Sequence, residues 1–390
     1  MDPAAMNVVF LSPHFPPHFH LFCAALRRRG GRALGLGDSP SGALAPQVTA
    51  ALDDYVGVDS LERYEDVYRA TALLAARHGR IDHLDSLNEH WLPLEARLRD
   101  DFNVPGMRPA AVARGQSKLA MATAFQAAGL PVIEGERLTD AAALRAFVDR
   151  VGLPILVKPD VGVGASGARK ISTPEELAEL SADLPTGAVV QRCIEAPITT
   201  FDGLLDRDGH VVFASSFLYA AGVLEFVSEQ RDVAYHSRRS IPPALVESGL
   251  RAVAALDLRT QFFHAEFFAL PDGSYLPLEV NLRPPGGFST DLFNYTFDFD
   301  CYDLWAAMIL GQLPAELPTP EARYHCAHAS RRDRSYRHGH DELVARLGPL
   351  LVHWQDLPPA IAYAMGSPVY LLRHPDESVL LEAIALVHAR

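Results

Sequence analysis

Apolar and polar positions alternate most clearly on the two sides of a tight turn near residue 270. Phe263-His264-Ala265-Glu266-Phe267-Phe268-Ala269-Leu270 leads into Pro271-Asp272-Gly273-Ser274, and Tyr275-Leu276-Pro277-Leu278-Glu279-Val280-Asn281 leads out. Asp-Gly between apolar runs predicts a β-hairpin. If the loop is the pair Asp272-Gly273, Glu266 lies directly opposite Glu279. Asn281 then shares their face, because strand side chains alternate with period two. An odd-length loop would shift this register by one residue.

The same reading runs along the rest of the chain. Val8–Leu11 is a continuous apolar run, as in a buried parallel strand, followed by the polar turn Ser12-Pro13-His14-Phe15-Pro16-Pro17. A helical stretch to about Arg29 and a second apolar run, Ala33–Leu36, complete a βαβ unit. Tyr64–His78 reads as a helix and Ile81–Leu87 as a strand. Ala111–Ala128 reads as one helix, with Gly129 as its C-cap and Pro131 as its stop. From there hairpins replace crossovers. Strands at 154–159, 187–192, 199–205 and 210–215 surround a capping box, Thr173-Pro174-Glu175-Glu176. Proline density rises from about Pro314, which marks a linker before a small α+β unit that starts near Tyr324.

Composition narrows the classes. The chain has 390 residues and is 48% hydrophobic, enough for two or three units with real cores. Its net charge of −13 argues against nucleic acid as a main partner. Cys23, Cys193, Cys301 and Cys326 form no CxxC pair, so buried free thiols in a reducing cytoplasm are expected. No apolar run is long enough to cross a bilayer. Residues 1–5 read as a lead-in outside the fold.

Like charges directly opposite on a sheet repel, so Glu266 and Glu279 imply a cation between them. Two carboxylates and an amide are the oxygen donors that a hard divalent ion such as Mg²⁺ prefers. Arg283 follows Asn281 by two, and Pro284-Pro285-Gly286-Gly287 comes next, which suits an anionic phosphorylated ligand. A second glycine-rich run, 162–167, joins two strands. It lacks the Gly-Lys-Ser/Thr of a Walker loop and opens no helix, so it reads as a lid whose N–H groups cover phosphates. Lys158 ends the strand before it and can reach a phosphate as a point charge. His14, His18 and His20 are expected on the loop and helix surface rather than at a metal. Two readings stay open for Arg331-Arg332-Asp333-Arg334-Ser335-Tyr336-Arg337-His338: a solvated loop or a contact with an acidic ligand. Tyr219, Glu229, Arg231, His236, Arg238 and Arg239 are candidate lining for a substrate pocket, or else a solvated edge.

These residues, in this order and spacing, resemble the ATP-grasp superfamily, and most closely its carboxylate–amine ligases. The resemblance covers roughly residues 80 to 310 and implies an α/β N-terminal domain, 1–110. An α+β ATP-grasp domain, 111–313, follows, whose subdomains 111–190 and 191–313 enclose ATP, and then an α+β unit, 314–390. It implies that Lys118 and Lys158 bind phosphates under a loop containing Gly164, Ser166 and Gly167. Gln191 takes the place of the usual acidic residue at the adenine amino group, and Arg192, Cys193 and Ile194 offer backbone groups to the adenine edge. Glu266, Glu279 and Asn281 resemble ligands of Mg²⁺, two ions in the usual case, with Mn²⁺ able to substitute. Arg283 resembles the arginine that steadies the transferring phosphoryl group, and the N–H groups of Gly286 and Gly287 are candidate donors to a tetrahedral intermediate. The family's usual ribose glutamate is absent, since Ile198 stands at about that place, with Glu195 or Asp202 as substitutes. The implied reaction converts a small-molecule carboxylate to an acyl phosphate and couples it to an amine, with release of ADP and phosphate. Two alternatives share the ATP site: a bicarbonate-using carboxylase or carbamoyl-phosphate-like enzyme, and a nucleotide-binding subunit without catalysis. A homodimer is the base-rate expectation.

Overall fold

The apolar run Asn7–Leu11 (β1) is buried along its whole length. It lies inside a parallel sheet with Arg32–Gly37 (β2), Asp54–Gly57 (β3) and His83–Asp85 (β4), in the order β3-β2-β1-β4. A strand covered on both faces needs no polar alternation, and this one has none. The computed structural model describes residues 5–162, 167–220, 230–316 and 321–390.

A second sheet is wholly antiparallel. It joins Gly135–Arg137 (β5), Ile155–Pro159 (β6), Arg169–Ile171 (β7) and Ala188–Arg192 (β8) in the order β5-β8-β6-β7. Helices Ala141–Val151 and Pro174–Ala182 flank it, and Leu144, Phe147, Ile155, Val157, Ile171 and Val190 form its core. The capping box is present: Thr173 Oγ1 accepts from the Glu176 N–H, and the Glu176 carboxylate accepts from the Thr173 N–H.

The largest sheet carries the remaining strands: Ile198–Leu205 (β9), Val211–Ser215 (β10), Phe217–Tyr219 (β11), Ala234–Ser237 (β12), Gln261–Ala269 (β13), Tyr275–Asn281 (β14), His325–Ser330 (β15), Leu351–Gln355 (β16) and Val369–His374 (β17). Its order is β14-β13-β9-β11-β12-β15-β17-β16, with β10 paired to β9. The strands beyond residue 324 therefore continue the sheet that holds the 266/279 hairpin. Aromatic packing fastens the first sheet's helix His20–Arg28 to this unit. Phe22 meets Tyr302 edge-on at 4.7 Å and Trp305 at 5.3 Å. Arg29 pairs with Asp303 beside them.

One predicted helix is two. Pro109–Gln116 ends at Ser117, which has extended backbone angles and caps a new helix, Lys118–Ala127, by accepting from the Ala120 N–H. A serine whose hydroxyl competes for backbone groups breaks an otherwise continuous pattern. The break leaves Lys118 at the first position of a helix, beside β6.

Candidate active site

The hairpin register holds, although the turn is not the two-residue loop assumed. The Leu270 N–H donates to the Ser274 carbonyl and the Gly273 N–H to the Leu270 carbonyl, so the loop is the three residues 271–273. Gly273 takes φ +83°, which a glycine adopts without strain. An odd loop alone would put Glu279 on the wrong face. A β-bulge corrects it: Phe267 faces Pro277, yet Glu266 faces Glu279, and His264 faces Asn281. The extra residue falls at Pro277-Leu278, where proline has no N–H to offer the ladder. Glu266, Glu279 and Asn281 thus come together, and the Asn281 amide lies 3.4 Å from Glu279 Oε1.

Behind this trio lies a buried network that the sequence did not disclose. His264 Nε2 is 3.0 Å from Glu266 Oε1, and its Nδ1 is 2.6 Å from Asp202 Oδ1. Asp202 also accepts from Thr200, whose hydroxyl oxygen takes the Phe217 N–H at 2.9 Å. Burial pulls the His264 pKa down, but Asp202 and Glu266 outweigh it and lift it to about 9. Burial works against the Glu266 carboxylate as well, yet His264, Arg283 and Lys158 hold its pKa below the usual value. The signal available was a histidine two residues from Glu266 on the same strand face. Its partner, 62 residues away, had none.

Lys158 is buried, and burial depresses its pKa, with Lys118 adding to the effect and Glu279 and Glu266 opposing it. Lys118 Nζ donates to the Gly162 carbonyl at 3.2 Å. The two lysines and the three oxygen-bearing residues therefore share one electrostatic neighbourhood. Asp160 ties the lysine elements together: it accepts from Ser117 Oγ at 2.9 Å, the Leu119 N–H at 3.1 Å and Arg137 at 2.8 Å. Gly167, at φ +72°, closes against Pro159. Gly164 and Ser166 lie outside the described residues. Gln191 is buried on β8 and packs on Gly135. The Arg192 N–H is taken by the Glu134 carbonyl and the Cys193 N–H by that of Pro154, so neither serves as a free donor.

Arg283 is held at both ends of its guanidinium. Nη1 donates to the Pro284 carbonyl at 2.8 Å, and Nε lies 3.9 Å from Glu89 Oε2. The Gly286 carbonyl accepts from Ser289 Oγ at 2.7 Å. Gly287 has φ +64°, and a Cβ there would come within 2.9 Å of Met365 Cε and 3.0 Å of Tyr235 Oη. A cavity of about 210 Å³ opens beside these groups, lined by Glu89, Gln116, Lys118, Gly162, Glu279 and Asn281, among others. Glu89 is a residue that sequence reasoning missed. Burial pushes its pKa up against the pull of Arg283.

Known proteins resemble this chain in sequence and in fold. Residues 117–192 match the family model for the ATP-binding domain of the carbamoyl-phosphate synthase L chain. The L-amino acid ligase structure from Bacillus licheniformis superposes with a TM-score of 0.76 at 16% identity, over 99% of this chain and 97% of that one. The chain has the ATP-grasp fold. The fold that the resemblance implies therefore holds. A carboxyaminoimidazole ribonucleotide synthase from Aspergillus clavatus, complexed with ATP, also shares the ATP-grasp fold, with a TM-score of 0.74 at 15% identity over 98% and 97% of the two chains. In sequence, an L-arginine-specific L-amino acid ligase of Bacillus subtilis is 24% identical over 255 residues, 61% of this chain and 60% of that protein. The chain spans less than two thirds of the length of the curated relatives it matches.

Several expectations around the ATP-grasp core need correction. Asp202 cannot reach a ribose, because it is enclosed with His264 and Thr200. Glu195 is exposed and pairs with Lys170 at 2.6 Å. His18 is not a surface histidine. It is buried against Phe288 at 5.2 Å, and burial drives its pKa to about 3. The basic loop is solvated only in part: Asp333, Ser335 and Arg337 are exposed, while Arg331, Arg332 and His338 are buried. Arg332 donates to the carbonyls of Ala362, Tyr363 and Ala364, capping the end of helix Pro359–Met365, while Arg331 donates to those of Val387 and His338. Of the candidate pocket residues, His236 pairs with Glu377 at 2.9 Å and Arg239 donates to the carbonyls of Ala322 and Pro375. Tyr219 stacks on Tyr235 at 5.0 Å, and Glu229 lies outside the described residues. No helix among the described residues is long and apolar enough to cross a membrane.

Proposed function

We propose that the protein is an ADP-forming ligase that phosphorylates a small-molecule carboxylate and couples it to an amine. The observation that carries this reading is the register of the hairpin. It sets Glu266, Glu279 and Asn281 on one face, with Arg283 two residues beyond and Lys158 and Lys118 as the neighbouring cations. A carboxylate that attacks ATP brings anions together, and this set neutralises their approach. The residues fit a hard divalent ion: two carboxylates face each other across the strands, and an amide oxygen is the third donor. Mg²⁺, as a pair of ions or replaced by Mn²⁺, would supply charge neutralisation there.

In this reading Lys118 and Lys158 bind the phosphates, and Gly164, Ser166 and Gly167 belong to the loop that covers them and excludes water. Gln191 accepts from the adenine amino group. With two hinge N–H groups already engaged, Ile194 supplies the adenine donor and Arg192 a carbonyl. Arg283 steadies the transferring phosphoryl group. The N–H groups of Gly286 and Gly287 face the charge that develops as the amine attacks. The units 1–110, 111–313 and 314–390, a cytoplasmic location and a homodimer belong to the same proposal, and light scattering on the purified chain tests the last.

The deciding experiment is a screen of carboxylate and amine pairs for ADP release, followed by oxygen-18 tracing. Label placed in the substrate carboxylate is expected in inorganic phosphate. Label in AMP would overturn the reading. Turnover with bicarbonate as the sole carboxyl source would favour the carboxylase alternative instead. Lys158→Ala is expected to weaken ATP binding more than adenosine binding, by a margin that narrows with salt.

A further inference from the structure

Glu89 stands in the turn after β4, in the first sheet's unit, yet its carboxylate works on the far side of the cavity. Oε2 accepts the Leu282 N–H at 3.2 Å and lies 3.9 Å from Arg283 Nε. Oε1 accepts from Gln116 Nε2 at 3.3 Å, and that same nitrogen donates to the Glu89 carbonyl at 3.1 Å. The residue is only 6% exposed. One carboxylate thus ties together the parallel sheet, the end of helix Pro109–Gln116 and the exit of β14. A buried carboxylate is costly without a charged partner, and two neutral donors alone would be served as well by a glutamine. Among the described residues, the one cation among its contacts is Arg283.

We infer that Glu89 is a positioning residue: it orients the Arg283 guanidinium toward the phosphoryl group and couples the first sheet's unit to the site. The inference rests on the role proposed for Arg283. Arg283 is engaged from two directions: Nη1 donates to its own loop, and the Glu89 carboxylate forms an ion pair with it, 3.9 Å from Nε. A guanidinium is useful to a phosphoryl group only when its fork is aimed, because its donors are fixed in one plane. Releasing one clamp leaves the charge in the site and lets the fork swing.

The test uses the full chain and two readouts. Calorimetry with Mg²⁺ gives the affinity ratio of β,γ-imido-ATP to ADP, which reports the γ-phosphoryl contact. Steady-state ADP release, with the pair found in the screen, gives kcat and KM. Glu89→Gln keeps the volume and an acceptor oxygen and removes the charge. It is expected to lower the affinity ratio about tenfold and kcat by about 10- to 100-fold. KM for ATP should rise along with the fall in the affinity ratio, while the thermal midpoint should change little, which a merely structural role would not produce. Arg283→Ala should show the same losses, and Glu89→Gln combined with Arg283→Ala should lose no more than Arg283→Ala alone. Losses that multiply in the double variant, or an unchanged ratio and kcat in Glu89→Gln, would overturn the inference while leaving the reading of Arg283 intact. An unchanged ratio and kcat in Arg283→Ala would overturn that reading and the inference with it.

Discussion

Histidine is buried in two regions of this molecule, and the two regions treat it in opposite ways. On the hairpin, His264 sits between Asp202 at 2.6 Å and Glu266 at 3.0 Å. Burial disfavours its charge, the carboxylates favour it more, and the balance stands at about 9. Past the Gly286-Gly287 turn, His328 is wholly buried and stacks on Tyr235 at 4.8 Å. Burial drives its pKa to about 3. His18, against Phe288 on the same turn, is likewise pushed to about 3, and neither of its ring nitrogens has a hydrogen-bond partner among the described residues. Burial alone therefore neutralises a histidine, and a carboxylate pair reverses the outcome. The hairpin concentrates ionised groups around the proposed phosphate site. The region behind Gly287 keeps its imidazoles neutral.

The sharpest way to break this contrast is to remove the carboxylate that charges His264. Asp202→Ala should cost about 3–5 kcal/mol of stability, since it removes one of the two carboxylates that hold a buried imidazolium and leaves Nδ1 without its acceptor. Urea unfolding checks it, and a loss under 1 kcal/mol would show that the pair is not what stabilises the hairpin. Next comes chemistry rather than stability. Glu279→Gln should remain folded, with an unchanged melting profile, and lose at least about 100-fold in Mg²⁺-dependent ADP release. Unaltered Mg²⁺–nucleotide affinity by calorimetry would count against Glu279 as a ligand.

The neutral region gives a smaller effect, dependent on pH. The folded-state pKa of His328 is depressed below the unfolded value of 6.5. As pH falls below 6.5, the unfolded chain binds a proton that the folded one refuses. Stability should therefore decline on the acid side by about 1.4 kcal/mol per pH unit for this group, until pH approaches 3. His264 has the opposite sign. Its contribution is complete below pH 6.5 and is lost as pH rises through about 9. Unfolding free energies of the wild type and His328→Asn between pH 4 and 7 should differ in slope, and parallel curves would refute the assignment. The smallest effect is expected at His18. His18→Leu should be neutral or stabilise by up to about 1 kcal/mol, because it removes a polar group that makes no hydrogen bond among the described residues. A large loss there would mean that the imidazole has a partner after all.

Local pattern made the trio Glu266, Glu279 and Asn281 readable. The hairpin has a two-residue period and a turn with a strong signature, so partners 13 residues apart could be paired by counting. The count succeeded through two compensating features, a three-residue loop and a bulge at Pro277-Leu278. The helix around Lys118 failed at one position, because an N-cap serine looks like any other polar residue inside an apolar pattern until its hydroxyl is seen to accept the Ala120 N–H. The buried ends of the basic loop were missed for a related reason. Composition shows that Arg331 and Arg332 are charged, but not that carbonyls from the helix Pro359–Met365 and from His338 and Val387 end at their guanidinium groups.

By itself, the amino-acid sequence determined the strand and helix types, the hairpin partners and the kinds of donor atom gathered at the proposed phosphate site, because these depend on local pattern along the chain. Tertiary structure alone decided which buried groups carry charge. Asp202 meets His264 across β9 and β13, and Glu89 reaches Leu282 and Arg283 from the turn after β4, 193 residues away from the former. A pKa and a salt bridge are set by distance and burial in space, and the spacing of residues along a chain holds neither quantity.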